Sequence, residues 1–354
     1  VLDWLREWMQ FPSTARGLFT TGGSMANFAA IVCARERKLG TELRRGTLYL
    51  SSETHHSVAK SAKLAGILPD RVRAIPVDAA FRMRIDRLAD AIATDRAAGL
   101  TPFLVVSSAG TTNTGAVDPL REIAALCLQE GLWHHVDGAY GASFHLCPEL
   151  RPLLAGLPEA DSLTLDPHKG LFIPYGTGAV LVRDGEALRA AHSETASYMP
   201  EDRAGTEFYD PHQFGPDLSR NFRGLPVWLA IKLYGAARYR AALAEKRALA
   251  LDAAKRIAAL PHVVMDAPPQ LSLFAFHLEW PGATLAEQDA ATRELLERVT
   301  QRGKVFITGC HAGGRFLARV CVLSFRTRQE QIDTCVEHIA EEVQALVSRE
   351  PRSQ

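Results

Sequence analysis

The chain has 354 residues, 47% hydrophobic and 23% charged, a composition that suits an ordinary globular protein of about two domains. Its 40 basic residues balance 40 acidic ones without any basic block or stripe, which argues against nucleic acid and anionic membrane as partners. No apolar run approaches the roughly 20 residues of a membrane span, and the six cysteines lack CxxC spacing and read as reduced core residues of a cytoplasmic protein.

The chain opens in what reads as a helix already under way, residues 2–9, with neither a basic leader nor a cleavage site. The expectation is a fragment of a longer chain. Next, Gly22, Gly23 and Ser24 begin a helix whose periodicity runs through 28–38. Free N–H groups and the positive dipole end make such a start an anion site, and a plain helix cap is the competing reading. A strand at 47–51 leads to His55 and His56 at the opening of another helix. Neighbours at a helix start point in different directions, and no Cys or His stands at ligand spacing, which speaks against a metal. A surface or capping histidine, or one lying flat over an aromatic cofactor, are the readings that remain here.

Strands follow at 71–77 and 102–107 with a helix at 86–98 between them; the second strand is a continuous apolar run of the buried parallel kind. It ends in a hydroxyl-rich turn, where Thr111 and Thr112 suit ligand contact. After a helix at 119–129, a strand at 132–140 carries Asp137 toward its carboxyl end. His134 and His135 straddle the two faces of that strand, so no joint metal site is expected. A short buried strand at 162–165 breaks at Pro167 into a loop presenting His168 and Lys169, and another strand follows at 179–182.

From 193 to 219 aliphatic residues nearly vanish, the mark of a mobile functional loop or a disordered segment; Tyr198 is its most reactive-looking member. A helical stretch from 224, interrupted near Gly235, runs on to 260. Beyond Pro261, strands at 271–278, 305–308 and 315–325 alternate with helices at 285–301 and 329–347. The expected organisation is a remnant of a linking helix at 1–15, a large α/β domain at 16–235 with a mostly parallel sheet covered on both faces, and a smaller α+β domain at 236–354.

Asp137 and Lys169 both fall at strand carboxyl ends, one strand-helix unit apart, where α/β sheets bind ligands. Taken alone, Lys169 reads as a solvated loop lysine. A lysine, however, can condense with an aldehyde, and a carboxylate at the far side of a pyridinium ring keeps the ring nitrogen protonated. Together they are the pair that pyridoxal 5′-phosphate (PLP) requires.

The segments TTGGSMAN (20–27), SSETHHSV (51–58), SAGTTNTGAVDPL (108–120), WHHVDGAYG (133–141), DPHKG (166–170) and LSRNFRGLPVWLAIKLYG (218–235) resemble the group II PLP-dependent amino-acid decarboxylases. The likeness keeps its order across essentially the whole chain, including RFLARVCVLSFRT (315–327). It implies PLP fold type I, a homodimer, and decarboxylation of an L-amino acid, aromatic in the first instance, to its amine and CO2. Carried over by position, Lys169 is the Schiff-base lysine with His168 beside it, Asp137 pairs with the ring nitrogen, and Ala139 lies against the ring. His55 stacks on the exposed face, Gly23 and Ser24 hold the phosphate with Thr111 or Thr112 nearby, and Tyr198 returns a proton to the substrate carbon. Relatives with phenylalanine at that last position form aldehydes. Two positions depart from many relatives: Asp166 stands where Asn is usual, and Gly170 where a bulky residue is usual. Other fold-type-I lyases, of the cysteine-desulfurase or sphingosine-phosphate-lyase kind, also carry a His-Lys pair. The Tyr198 segment and the stretch from Arg220 to Arg223 argue against them. A non-catalytic truncated homologue is the remaining alternative.

Overall fold

The computed structural model describes residues 1–194 and 210–348. Seven strands, β1 (Arg16–Thr20), β2 (Gly46–Ser51), β3 (Val72–Ile75), β4 (Thr101–Ser108), β5 (Trp133–Asp137), β6 (Ser162–Leu165) and β7 (Gly178–Val182), form one sheet in the order β1-β7-β6-β5-β4-β2-β3. From β3 to β6 all pairings are parallel, while β7 runs antiparallel to both β6 and β1. β2, β5, β6 and β7 are buried along their whole length, as expected of strands covered on both faces, and the polar side chains they carry are buried with them.

The helices are α1 (Leu2–Trp8), α2 (Gly23–Leu39), α3 (His56–Leu64), α4 (Ile85–Ala97), α5 (Leu120–Glu130), the single turn α6 (Pro167–Gly170), α7 (Gly185–Ala190), α8 (Gly224–Tyr234), α9 (Ala236–Ala258), α10 (Leu285–Gln301) and α11 (Gln329–Val347). α2 lies across β4, β5, β6 and β7. Ala26, Ala29, Ala30 and Ala34 are wholly buried on it, and their small size lets the helix approach the sheet closely. α4 and α5 cover another part of the sheet through Leu88, Ile92, Ile123 and Cys127.

A second sheet, antiparallel throughout, has the order β10-β11-β9-β8, with β8 at Val263–Val264, β9 at Leu273–Leu278, β10 at Thr308–Ala312 and β11 at Arg315–Cys321. α10 and α11 pack on it. α9 joins the two cores: Tyr239 and Leu243 belong to the first, and Leu249 to Ile257 to the second. The boundary expected at 236 therefore falls at the start of a helix shared by both.

Four local expectations change. β1 is an additional strand, held by antiparallel pairing to β7. The link from β5 to β6 is made of short 3₁₀ turns, Ala142–Leu146, Pro148–Leu150 and Leu157–Glu159, rather than a helix. Lys169 sits in a helical turn instead of an open loop, because Pro167 pre-sets the first helical position. The strand expected at 305–308 lies at Thr308–Ala312, where a two-residue turn of Gly313 (φ 59°) and Gly314 (φ 78°) pairs Ala312 with Arg315. Two left-handed residues are what a tight hairpin needs, and glycine supplies them without strain.

Candidate active site

Parallel strands end together, and here the ends of β4, β5 and β6 open into one cavity of about 340 Å³. It is lined by Gly23, Ser24, His55, Thr111, Thr112, Asp137, Ala139, His168 and Lys169. Every sequence-predicted site residue except Tyr198 is thus brought to one place. Tyr198 and most of the polar segment around it lie outside the described residues.

α2 begins at the cavity with no side chain capping it. A Cβ on Gly23 would come within 3.0 Å of Asp166 Oδ2 and 3.1 Å of the Ala139 methyl, so only glycine keeps this wall open. Asp166 is buried between Gly23 and Gly178. It holds Lys169 Nζ at 2.9 Å and lies 3.7 Å from His168 Nε2. Burial raises the Asp166 carboxyl above its ordinary range, with Lys169 pulling the other way, and its Oδ1 has no protein partner. The Lys169 side chain remains 40% exposed. Its turn is braced: His168 donates from its backbone N (3.3 Å) and from Nδ1 (2.8 Å) to the Thr177 carbonyl. The neighbouring Gly176 carbonyl accepts from the Arg223 guanidinium at 2.6 Å.

Asp137, 9% exposed, accepts from the Ala139 N–H at 3.1 Å and from Asn27 Nδ2 at 2.9 Å. Both donors are neutral. A carboxylate this buried gains most from a cation, and none among the described residues forms an ion pair with it. His55 caps α3: its Nδ1 accepts from the Ser57 N–H at 3.3 Å and lies 2.7 Å from Ser57 Oγ. Burial lowers its pKa, so the imidazole stands neutral over the cavity. His134 and His135 do diverge: His134 Nε2 meets Ser107 Oγ at 2.8 Å, and His135 turns toward Ser162 and Asn27.

These residues fit PLP. The uncapped glycine start of α2 offers N–H groups to a phosphate, Asp137 lacks the cation that a protonated ring nitrogen would provide, and an exposed primary amine stands in the same cavity. Asn27 and Ser57 lie within the quoted motifs but were assigned no role from the sequence, and Asp166, also within one, stood out only as a departure from the usual Asn. Their signal was polarity inside otherwise buried segments.

Residues 1–279 match the family model described as the pyridoxal-dependent decarboxylase conserved domain. An aromatic-L-amino-acid decarboxylase from Bacillus atrophaeus is 35% identical over 97% of this chain and 72% of its own length. A 4-hydroxyphenylacetaldehyde synthase from Rhodiola rosea is 30% identical over 98% of this chain and 73% of its own. Among solved structures, the Oryza sativa TDC with PLP and tryptamine superposes with a TM-score of 0.92 at 28% identity, covering 98% of this chain and 75% of that one. The fold is PLP fold type I, as the resemblance implied. A family match that takes in both the glycine turn and the lysine turn, with relatives aligned over nearly the whole chain, makes this protein a member of the pyridoxal-dependent decarboxylase family and hence a PLP-dependent carboxy-lyase.

Proposed function

We propose that this chain decarboxylates an aromatic L-amino acid to its amine and CO2. The observation that carries the reading is the convergence, on one cavity, of a primary amine, a carboxylate with only neutral donors, and the glycine start of α2. The aromatic class follows the names of the relatives, which include aromatic-amino-acid and tryptophan decarboxylases. In this reading Lys169 forms the covalent link to the cofactor aldehyde, while Gly23 and Ser24, with Thr111 or Thr112, receive the phosphate. Asp137 takes the ring nitrogen, Ala139 and His55 flank the ring, and His168 steadies the lysine turn through Thr177. The chemistry that PLP supplies when bound is an electron sink for the bonding pair freed as CO2 departs. The protein's own part is to orient the substrate, keep water away, and return a proton to the substrate carbon, a task assigned to Tyr198.

We also propose that the chain acts as a homodimer. α8 buries Val227 and Ile231 but exposes Leu225, Trp228, Leu229 and Leu233 as an apolar stripe, with Phe222 (77%) and Tyr175 (92%) exposed. Contiguous apolar surface of this kind marks an interface. A cytoplasmic location rests on the cysteines, all six of them free.

The test is to load the protein with PLP, reduce it with borohydride and map the labelled peptide, then assay CO2 and amine from L-tryptophan, L-tyrosine, L-phenylalanine and L-glutamate. Label on Lys169 and amine from the aromatic substrates are expected. Label elsewhere would end the reading of the site, and turnover of glutamate alone would end the substrate assignment.

A further inference from the structure

Behind Asp137 lies a set of buried polar side chains that the proposed chemistry does not use. Asn27 on α2, His135 on β5, and Ser162 and Thr164 on β6 are each no more than 1% exposed, and Trp133 on β5 is 3% exposed. Their hydrogen bonds can be satisfied in only one sense. The Asp137 carboxylate only accepts, so the Asn27 amide presents its nitrogen, 2.9 Å from Asp137 Oδ2. Asn27 Oδ1 therefore faces inward, accepting from Thr164 Oγ1 at 2.6 Å and from His135 Nε2 at 3.0 Å. That places the imidazole proton of His135 on Nε2 and leaves Nδ1 to accept from the Ser162 hydroxyl at 2.8 Å. Ser162 Oγ in turn accepts from the Trp133 indole N–H at 2.8 Å. The chain of donors thus runs Trp133, Ser162, His135, Asn27, Asp137, every link pointing toward the carboxylate. Burial pushes the His135 pKa down to about 4, so the ring stays neutral and the direction is kept across the physiological range.

Asn27 has a second amide hydrogen. It points to Ser57 Oγ at 3.5 Å, the long end of the hydrogen-bond range. Ser57 lies 2.7 Å from His55 Nδ1. That nitrogen already accepts from the Ser57 N–H, so the serine hydroxyl donates to it. One amide, a turn into α2, therefore stands between both faces of the site: the carboxylate on β5 and the imidazole on α3.

We infer that Asn27, His135 and Ser162 are positioning residues, a buried one-way hydrogen-bond chain that aims the Asp137 carboxylate to which the cofactor ring binds. The inference rests on the reading of Asp137 as the partner of the ring nitrogen. A carboxylate free to rotate would meet a cationic nitrogen less well. The other charged and titratable groups facing the same cavity are His55 at the start of α3, Tyr140 just after β5, and Asp166, His168 and Lys169 from the end of β6 and from α6. None of these hydrogen-bonds to Asp137.

The experiment compares PLP affinity and the pH midpoint of the bound cofactor's visible band in the full chain and four variants. Asn27→Asp keeps the shape but sets a second carboxyl against Asp137. Its PLP dissociation constant should rise about tenfold or more at about pH 8, and the gap from wild type should close toward about pH 5 as the new group protonates. His135→Leu, near in volume but without a donor, should weaken PLP about tenfold. His135→Gln, whose amide can reach the Nε2 position, should recover most of that loss and restore the band's pH midpoint. Asp137→Ala is the control for the underlying reading. If it too binds PLP as wild type with an unchanged band, the reading of Asp137 itself fails. If it falls while Asn27→Asp and His135→Leu match wild type, the chain alone is refuted. Equal loss in His135→Leu and His135→Gln, with equally lowered melting temperatures, would mean packing only and would also overturn the inference. Should His135→Leu not fold, the near-isosteric Asn27→Asp still decides the question through its pH dependence.

Discussion

Gly23 shows how little separates an anion cradle from a filled wall. Its backbone is not left-handed, so a methyl group there strains nothing in the chain, but it would meet Asp166 and Ala139 at 3.0 and 3.1 Å. Gly23→Ala should therefore change folding stability by no more than about 1 kcal/mol while weakening PLP binding several-fold. Urea unfolding of the apo protein and a PLP titration check the two halves separately. In the proposed reaction Tyr198 returns the proton, and its chemistry then decides the product. Tyr198→Phe should divert the product from amine to aldehyde, and an unchanged amine yield would count against its role as proton donor. Lys169 and Asp137 could be found from the sequence because each follows a short strand-like segment that breaks at a Gly or Pro turn, so their place at a strand end is written locally. Asn27 could not. Its partner Asp137 is 110 positions away, and a polar residue one turn into a helix carries no mark of what it will meet.

At the scale of elements, α2 does two jobs with one backbone. Gly23 at its start and Asn27 four residues later share a face, so in the proposed site the end that receives the phosphate and the carboxylate end are both set by the seating of a single helix. That seating depends on alanines. Ala30→Leu, at a fully buried position, should cost roughly 1–3 kcal/mol by overpacking and weaken PLP binding in step, as a thermal melt with and without cofactor would show. A loss of stability with undiminished affinity would uncouple the helix from the site. The long helices at 285–301 and 329–347 were legible to the residue; Thr284 and Glu287, reciprocally bonded as a capping box, mark the first. β1 was not, because Arg16 and Gly17 have no strand pattern of their own and become a strand only against β7. β10 was misplaced because the apolar residues Val305 to Ile307 outweighed the Gly313-Gly314 turn, which was the better signal.

For the molecule as a whole, buried histidines set the response to acid. Burial lowers His134 to about 3 and His135 to about 4, so below about pH 6.5 the unfolded chain binds protons that the folded chain refuses. The stability they confer is complete above that pH and is lost as pH falls toward the folded values, by about 1.4 kcal/mol per pH unit for each ring. Asp118, raised by burial to about 6, works in the opposite sense between about pH 6 and 4 and offsets one of the two. Urea midpoints should therefore decline from about pH 6.5 downward, and His134→Gln should flatten the decline. An unaltered slope in that variant would show that other groups govern it.

The Arg223 hydrogen bond to the Gly176 carbonyl has a consequence at the same scale. Arg223 immediately precedes α8 and its exposed apolar stripe, while Gly176 adjoins the carbonyl that braces His168. In the proposed homodimer, subunit contact and cofactor retention are thereby linked through a path only a few atoms long. Dilution that separates the copies should hasten escape of the vitamin from its lysine, and Arg223→Ala should hasten it at every concentration, leaving the release rate indifferent to how crowded the enzyme is.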